Sequence, residues 1–357
     1  MERLQAVLLV GGPGTRLRPL TNDRPKSTVP VLNRPVLEHT LAYLKQYNVR
    51  DVIITLNYLP EVIESRFGDG RRYGVHLTYC LEVEPRGTAG AVKNAEPYIS
   101  GSFFVLNGDV FTDMSLDDML TFHRRKKARA TIALTQVDNP SAFGVVETDE
   151  DGRVKRFIEK PPPGTETTNW INAGTYILEP EILLEIPADC HYMFEKGLFP
   201  RLLETGKSVY GYPYKGYWLD MGTPAHYYCI NIDILSDKAR SPLYQGNGNR
   251  PTYNKKKVEI HQSAVIEGPA VIDSGCIIGA GVKIKGPAAI GRDCRFHEGV
   301  KIEKAVIWEG VTIGANSWVK GCVISSGTII GENQKIENCI VTPSQTAPLY
   351  RPVSKSK

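Results

Sequence analysis

The chain has 357 residues, an ordinary balance of apolar and charged side chains and a formal net charge of +4. That length allows two domains, each with its own core, and so small a charge does not point to nucleic acid. No stretch approaches the roughly 20 apolar residues that span a bilayer. The first apolar run is too short for a signal sequence. Seven cysteines without CxxC spacing fit neither a disulfide framework nor a zinc site, so a reducing, cytoplasmic setting is expected.

The first predicted element is a buried strand, Ala6–Val10, whose residues are all apolar, as in parallel strands covered on both faces. It stops at Gly11-Gly12, with Gly14 two further on. Glycines let the backbone approach a ligand closely, and their amides can converge on an anion. Thr15, Arg16 and Lys26 follow, and the two cations suit a polyphosphate. Pro19, Pro25 and Pro30 forbid an ordinary helix. Gly11 to Pro30 therefore reads as a stiffened loop over the carboxyl end of the first strand, where open α/β sheets bind ligands.

Helices are predicted over Val36–Tyr47 and Pro60–Phe67, and strands over Asp51–Leu56 and Leu77–Leu81. This alternation predicts a mainly parallel sheet. Glu82 to Gly90 reads as a loop. Phe103–Leu106 is a strand ending in Asn107-Gly108-Asp109, which aims a carboxylate into the ligand crevice. Mg²⁺ prefers oxygen ligands and is held by one or two carboxylates with substrate phosphates. Asp113, Asp117 and Asp118 read as helix-start and surface acids. The basic run His123–Lys127 reads as a solvated helix end.

Next come the strand Ala130–Gln136, a turn at Asn139–Ala142, and Phe143–Val146. A hairpin turn at Asp149–Gly152 leads into Val154–Ile158 and Glu159-Lys160, where three prolines end the strand. Ile171–Tyr176 continues the pattern, and Phe194-Glu195-Lys196 precedes a helix over Gly197–Glu204. Thr223-Pro224 reads as N-cap and first residue of a helix over Ala225–Leu235. These observations place an α/β domain at 1–235.

Residues 236–258 are rich in Gly, Asn, Pro and Lys and read as a linker. Beyond it Ile266, Ile272, Ile278, Ile284, Ile290, Phe296 and Ile302 recur every six residues, and the series resumes through Ile307, Ile313, Val319, Ile324, Ile330 and Ile336. A hexapeptide period indicates a parallel β-helix, here of about four coils over 259–342. Cys276 and Cys294 are 18 residues apart and should stack as small core residues on successive coils. Residues 343–357 read as a patternless tail, mobile or docked on a partner. The open ends of a β-helix favour burial in a symmetric partner, so a homo-oligomer, dimer or tetramer, is expected through this domain.

The string GGPGTRLRPLTNDRPKSTVP, matched without a gap, resembles the signature of the sugar-1-phosphate nucleotidyltransferases. The likeness runs through both domains and their order. It implies a Rossmann-like α/β domain with a mixed, mainly parallel sheet, and a left-handed β-helix after it. The implied reaction joins a nucleoside triphosphate to a sugar-1-phosphate and releases pyrophosphate, with Mg²⁺. The resemblance puts Gly11, Gly12, Gly14, Thr15, Arg16, Lys26, Asn107 and Gly108 at the nucleotide. It makes Arg16, Lys26, Asp109, Lys160 and Asp220 the catalytic set, with Asp109 and Asp220 as the metal aspartates. Gly144, Glu159, Asn172 and Gly174 match sugar contacts, and Lys160 matches the sugar-phosphate cation. Lys196 reads equally as a further phosphate cation or a helix-start lysine. Pro13 departs from many relatives and removes one amide donor from the loop.

In the family, Gly87-Thr88-Ala89 reads the base. Relatives that take uracil or thymine often carry Gln at the position of Glu84. Guanine offers two adjacent donors, and a carboxylate accepts both where an amide has one acceptor. This loop looks like the guanylyltransferase branch that uses mannose-1-phosphate; the alternative is a glucose-1-phosphate uridylyl- or thymidylyltransferase. Glu82 and Glu84 also read as exposed strand-end charges. A regulatory paralogue that binds nucleotide-sugar without turnover is a further alternative, set against the presence of all five catalytic matches. A β-helix that transfers acyl groups with His261 or His297 is another.

Overall fold

The computed structural model describes residues 4–246, 248, 250–253 and 257–350. Its contacts group into two compact units, Met1–Pro13 with Thr40–Trp218 and Gly14–His39 with Leu219–Lys357. Among the described residues, no helix is long and apolar enough to cross a membrane.

The first unit is built on a nine-stranded mixed sheet. Strands Phe103–Asn107, Gln5–Leu9, Asp51–Leu56 and His76–Leu81 lie side by side and parallel. Trp170–Leu178 joins them antiparallel to Phe103–Asn107. Gly144–Thr148 and Val154–Glu159 form a hairpin at one end, and Ala130–Gln136 and Val209–Pro213 a parallel pair on the other side of Trp170–Leu178. The apolar runs that predicted these strands are the core. Ala6, Val7, Leu8, Phe103, Val105 and Ile177 are essentially without solvent exposure. On one face, Tyr176, Phe194 and Phe199 pack ring against ring.

Helices α1 (Val36–Gln46), α2 (Pro60–Phe67) and α4 (Leu116–Lys126) lie where apolar spacing places them. Three readings change. The supposed loop through Gly90 is already helical from Gly87, as α3 (Gly87–Asn94). Its alanines and valine face the core, so packing prevails over the two glycines. The end of α4 is not wholly solvated either. His123 is buried and bonded to Thr131 Oγ1 and Glu179 Oε1. Phe194–Leu198 forms a wide π turn before α5 (Phe199–Glu204), so the expected helix over Gly197–Glu204 starts two residues late.

In the second unit the hexad residues form three stacked columns of a left-handed parallel β-helix. Ile266, Ile284, Ile302, Val319 and Ile336 pair in register along one side. Ile272, Ile290, Ile307, Ile324 and Val341 form the second, and Ile278, Phe296, Ile313 and Ile330 the third. Each fully buried member contributes roughly 1.5–3 kcal/mol by leaving water, so the columns hold the prism together. Cys276 and Cys294 are buried core residues, as expected, and all seven cysteines are free thiols.

The sides carry five or more strands, one coil beyond the expectation, and two of the three sides start before the first hexad residue. Pro251–Tyr253, in the supposed linker, pairs in parallel with Ala270–Ile272. Linker positions 247, 249 and 254–256 and tail positions 351–357 lie outside the described residues. The start of the tail is not patternless. Gln345–Pro348 turns back antiparallel on Cys339–Thr342, with Thr342 Oγ1 accepting from Gln345 N, and covers the last strand's edge.

Helix α6 (Pro224–Leu235) starts as predicted, with Thr223 Oγ1 accepting from His226 N. It packs on the side of the β-helix whose outward residues Ala289, Val306 and Val323 are buried. Tyr228 Oη donates to Lys304 O there. The segment after Lys26 is held in the same unit. Asn231 Oδ1 accepts from Leu32 N, Asn33 Nδ2 donates to Ile290 O, and Tyr227 Oη donates to Pro30 O. His39 lies between Val31 O and Ser241 Oγ, at 2.8 and 2.7 Å. A carbonyl only accepts, so Nε2 carries the ring proton and Nδ1 takes the Ser241 hydroxyl.

Burial holds the His39 imidazole well below its ordinary range, at about 4, with Arg34 acting the same way against the Val31 bond. At pH above about 6.5 the ring is neutral in folded and unfolded chains alike. As pH falls from 6.5 towards 4 the unfolded chain takes up a proton the folded one refuses, so stability falls. The expected loss by pH 5 is about 2 kcal/mol. Melting temperatures from pH 7 to pH 5 should drop more steeply in the parent than in His39→Gln. Equal slopes would place the sensitivity elsewhere.

Candidate functional site

In the first unit, the predicted residues gather on the rim formed by the carboxyl ends of the parallel strands. Gly11 and Gly12 leave Leu9, Asn57 leaves Leu56, Glu82 leaves Leu81, and Asp109 follows Asn107. The rim is tied together laterally. Gly108 N donates to Leu9 O, and Asn57 Nδ2 donates to Glu82 O. Gly11 lies so close to Asn57 that a β-carbon there would sit 3.3 Å from its backbone nitrogen, whereas Gly12 faces open space. Gly11 is thus required by the close packing on Asn57, while the space beside Gly12 stays open.

The antiparallel strands bring their own residues to this rim. Thr175 pairs with Leu106, so Gly174 lies opposite Asn107. Gly174 has φ 71°, and a β-carbon there would sit 2.6 Å from Asn107 Nδ2. Asn172 Oδ1 accepts from Gly174 N and its Nδ2 donates to Tyr176 Oη. Gly144 pairs with Glu159 across the hairpin. Lys160 turns out of the strand at φ 48°, with its Nζ 3.6 Å from Glu159 Oε1. The structure thus brings Asn107, Gly144, Glu159, Lys160, Asn172 and Gly174 to one side of the rim.

At the segment expected to read the base, Gly87, Thr88 and Ala89 form the first turn of α3. Thr88 Oγ1 donates to Glu195 Oε2 and accepts from Phe194 N, so its hydroxyl is an internal strut. Glu84 is exposed. Glu82 is half-buried, accepts from Arg86 N, and is pushed up by burial. Lys196 is exposed within the π turn.

Sequence reasoning gave no role to Glu195 or Trp218. Glu195 lies between the α3 start and Glu159; burial and then the Glu159 charge push its carboxyl up. Trp218 Nε1 donates to Ala173 O at 2.9 Å, between Asn172 and Gly174, and its ring meets Phe143 edge-on. Neither residue sits at a strand end or in a glycine-rich string, so no spacing signal marks it. Asp113 is also more than a surface acid, accepting from Tyr214 Oη and Tyr217 N.

In the second unit, Gly14 adopts φ 63°, and Thr21 Oγ1 donates to its carbonyl. Two short 3-10 turns follow, Thr15–Leu17 and Lys26–Thr28, as the prolines require. Arg16 Nη1 lies 3.6 Å from Asp220 Oδ2, with the Arg16 side chain 68% exposed and that of Asp220 15%. Gly222 makes room for this pair, because a β-carbon there would sit 2.6 Å from Asp220 Oδ2. His226 Nδ1 bonds Asp220 O at 2.7 Å.

Among the described residues, no group of three or more His, Cys, Asp or Glu could cage a metal alone. Asp109, in the first unit, and Asp220, in the second, each present a carboxylate, a hard oxygen donor of the kind that suits a divalent cation whose other ligands are water and phosphate. Nucleotidyltransferases of this kind generally use a divalent metal.

Comparison with known proteins agrees with this geometry. Residues 5–237 match the Nucleotidyl transferase family and residues 249–346 the EIF2B subunit epsilon LbH domain. The chain is 37% identical over 327 residues to the mannose-1-phosphate guanylyltransferase of Mycobacterium tuberculosis, covering 90% of this chain and 83% of that one. It is 39% identical over 327 residues to the mannose-1-phosphate guanylyltransferase catalytic subunit beta of Drosophila pseudoobscura, covering 90% and 82%. A UTP–glucose-1-phosphate uridylyltransferase of Synechocystis is 32% identical over 327 residues, covering 87% and 84%. The chain therefore belongs to the nucleotidyl transferase family, as a sugar-1-phosphate nucleotidyltransferase.

Proposed function

We propose that this chain transfers the guanylyl group of GTP to mannose-1-phosphate, giving GDP-mannose and pyrophosphate. The observation that carries the reading is similarity across 90% of the chain to proteins named for that reaction. Exposed Glu84, a two-point acceptor suited to the guanine N1–H and N2 amino group, supports it. The Synechocystis relative keeps uridylyl transfer to glucose-1-phosphate as the second reading.

A phosphate oxygen of the sugar-1-phosphate attacks the α-phosphorus. The bond from that phosphorus to the bridging oxygen breaks, and pyrophosphate leaves with the electron pair. Both partners are anions, so positioning and charge neutralisation carry the catalysis. Arg16 and Lys26 hold the β- and γ-phosphates and stabilise the leaving group. Lys160 turns the sugar phosphate towards the α-phosphorus. Glu159, Asn172 and the Gly174 backbone hold the sugar, and Trp218 fixes the backbone between the last two. Asp109 and Asp220 would hold Mg²⁺, which when bound would supply Lewis-acid charge at the phosphates. The attacking oxygen is ionised at neutral pH, so no side chain has to take a proton.

Pyrophosphate release should be strongest with GTP and mannose-1-phosphate when four nucleoside triphosphates are crossed with mannose- and glucose-1-phosphate. Preference for UTP with glucose-1-phosphate would establish the second reading instead. Lys26→Ala and Asp109→Asn should each lower kcat at least about 100-fold, and full turnover in either would remove that residue from the mechanism. Chelation of divalent metal should abolish release, and added Mg²⁺ restore it.

Gly174→Ala meets both a left-handed backbone and the Asn107 amide. Its KM for the sugar phosphate should rise at least about tenfold, at a cost of roughly 1 kcal/mol or more in stability. An unchanged KM would take Gly174 out of the sugar site.

A further inference from the structure

The β-helix presents one aromatic side chain to the signature segment within the second unit. Trp308 is almost fully buried. Its Nε1 donates to Tyr227 Oη at 2.8 Å, and that hydroxyl donates onward to Pro30 O. The face of the same indole lies under the Arg24 guanidinium, 4.8 Å from ring centroid to Cζ. Arg24 stands two residues before Lys26 and Pro30 four after it. Between them runs the Lys26–Thr28 turn, closed by Thr28 N and Oγ1 to Pro25 O and by Val29 N to Lys26 O.

One indole therefore holds both ends of the turn that carries Lys26. We propose that Trp308 is a positioning residue for nucleotidyl transfer, fixing Lys26 from the β-helix. The inference rests on the proposed role of Lys26. It gives the β-helix a part in the chemistry beyond any role in assembly. A buried N–H without its acceptor is costly, so the indole specifies one orientation of the Tyr227 hydroxyl and, through it, of Pro30. Stacking over a desolvated ring adds attraction for Arg24.

A group that acts on charge formed in the leaving pyrophosphate affects kcat more than substrate binding. Trp308→Phe keeps a ring and removes the donor; Tyr227→Phe removes the relay and keeps the ring. Each should lower kcat about five- to tenfold with the KM for sugar-1-phosphate within twofold, measured by pyrophosphate release with the pair that the parent turns over best. Tyr227→Phe strands the buried indole N–H and Trp308→Phe thins a packed site, so both melting temperatures should fall, and the rates are compared at a temperature where parent and variants remain folded.

The deciding measurement is Trp308→Phe in a Lys26→Ala background, followed over long time courses. If Trp308 acts through Lys26, its substitution costs less than twofold there. The same five- to tenfold loss in both backgrounds would overturn the inference, as would parental kcat in both single variants. Full turnover by Lys26→Ala alone would instead remove the reading of Lys26 on which it rests. If Trp308→Phe melts early, Tyr227→Phe in the two backgrounds decides by the same criterion.

Discussion

A polar backbone segment that leaves the surface must find a partner for each buried N–H and C=O. The stretch from Pro30 to Asn33 meets that demand through side chains far away in sequence. Tyr227 and Asn231, four residues apart and hence on one face of α6, take Pro30 O and Leu32 N. His39 takes Val31 O, and Asn33 itself reaches Ile290 O of the β-helix. These bonds fix the exit of the Lys26 turn as firmly as the prolines stiffen its interior. They also explain why Gly14–His39 groups with the C-terminal part of the chain although sequence order assigns it to the first domain. The division of the chain into two compact units follows this hydrogen bonding and not the order of its strands.

The first unit meets a different constraint. A parallel sheet delivers its loops on one rim, and an antiparallel neighbour delivers the start of its strand to that same rim. Gly174 and Asn172 are thereby brought beside Asn107 without a long loop. Only a residue without a β-carbon fits where Gly174 faces the Asn107 amide. Rigid strands, rather than loops, hold the proposed sugar contacts, which suits a reaction that relies on in-line placement.

The hexads were legible because burial at a triangular corner leaves a period that nothing else in a globular chain produces. Every member from Ile266 to Ile336 lies in its expected column. The α6 start was legible because Thr-Pro carries both a cap and a fixed φ. Three features left no such mark. Gly87 begins a helix because Ala89, Ala91 and Val92 are buried, a tertiary effect that overrides glycine's local preference. Pro251–Tyr253 forms a strand by adding to an existing edge, which needs backbone rather than pattern. Glu195, Trp218 and Trp308 work through single hydrogen bonds to residues distant in the chain, and no periodicity encodes such bonds.

The Arg16–Asp220 pair bears on how the proposed site can work. The two groups meet at 3.6 Å, with most of the Arg16 side chain in water. An ion pair so exposed contributes little to stability, typically about 0–1 kcal/mol, so exchanging it for other partners is inexpensive. A guanidinium has five N–H donors, and contact with one carboxylate oxygen leaves others free for a triphosphate. On the proposed reading, the guanidinium stays largely in water beside the mostly buried carboxylate, ready to turn to an arriving polyphosphate. A buried, fully bonded pair would hold the same charges too tightly to be displaced, and Gly222, by leaving space beside both, preserves the looser arrangement.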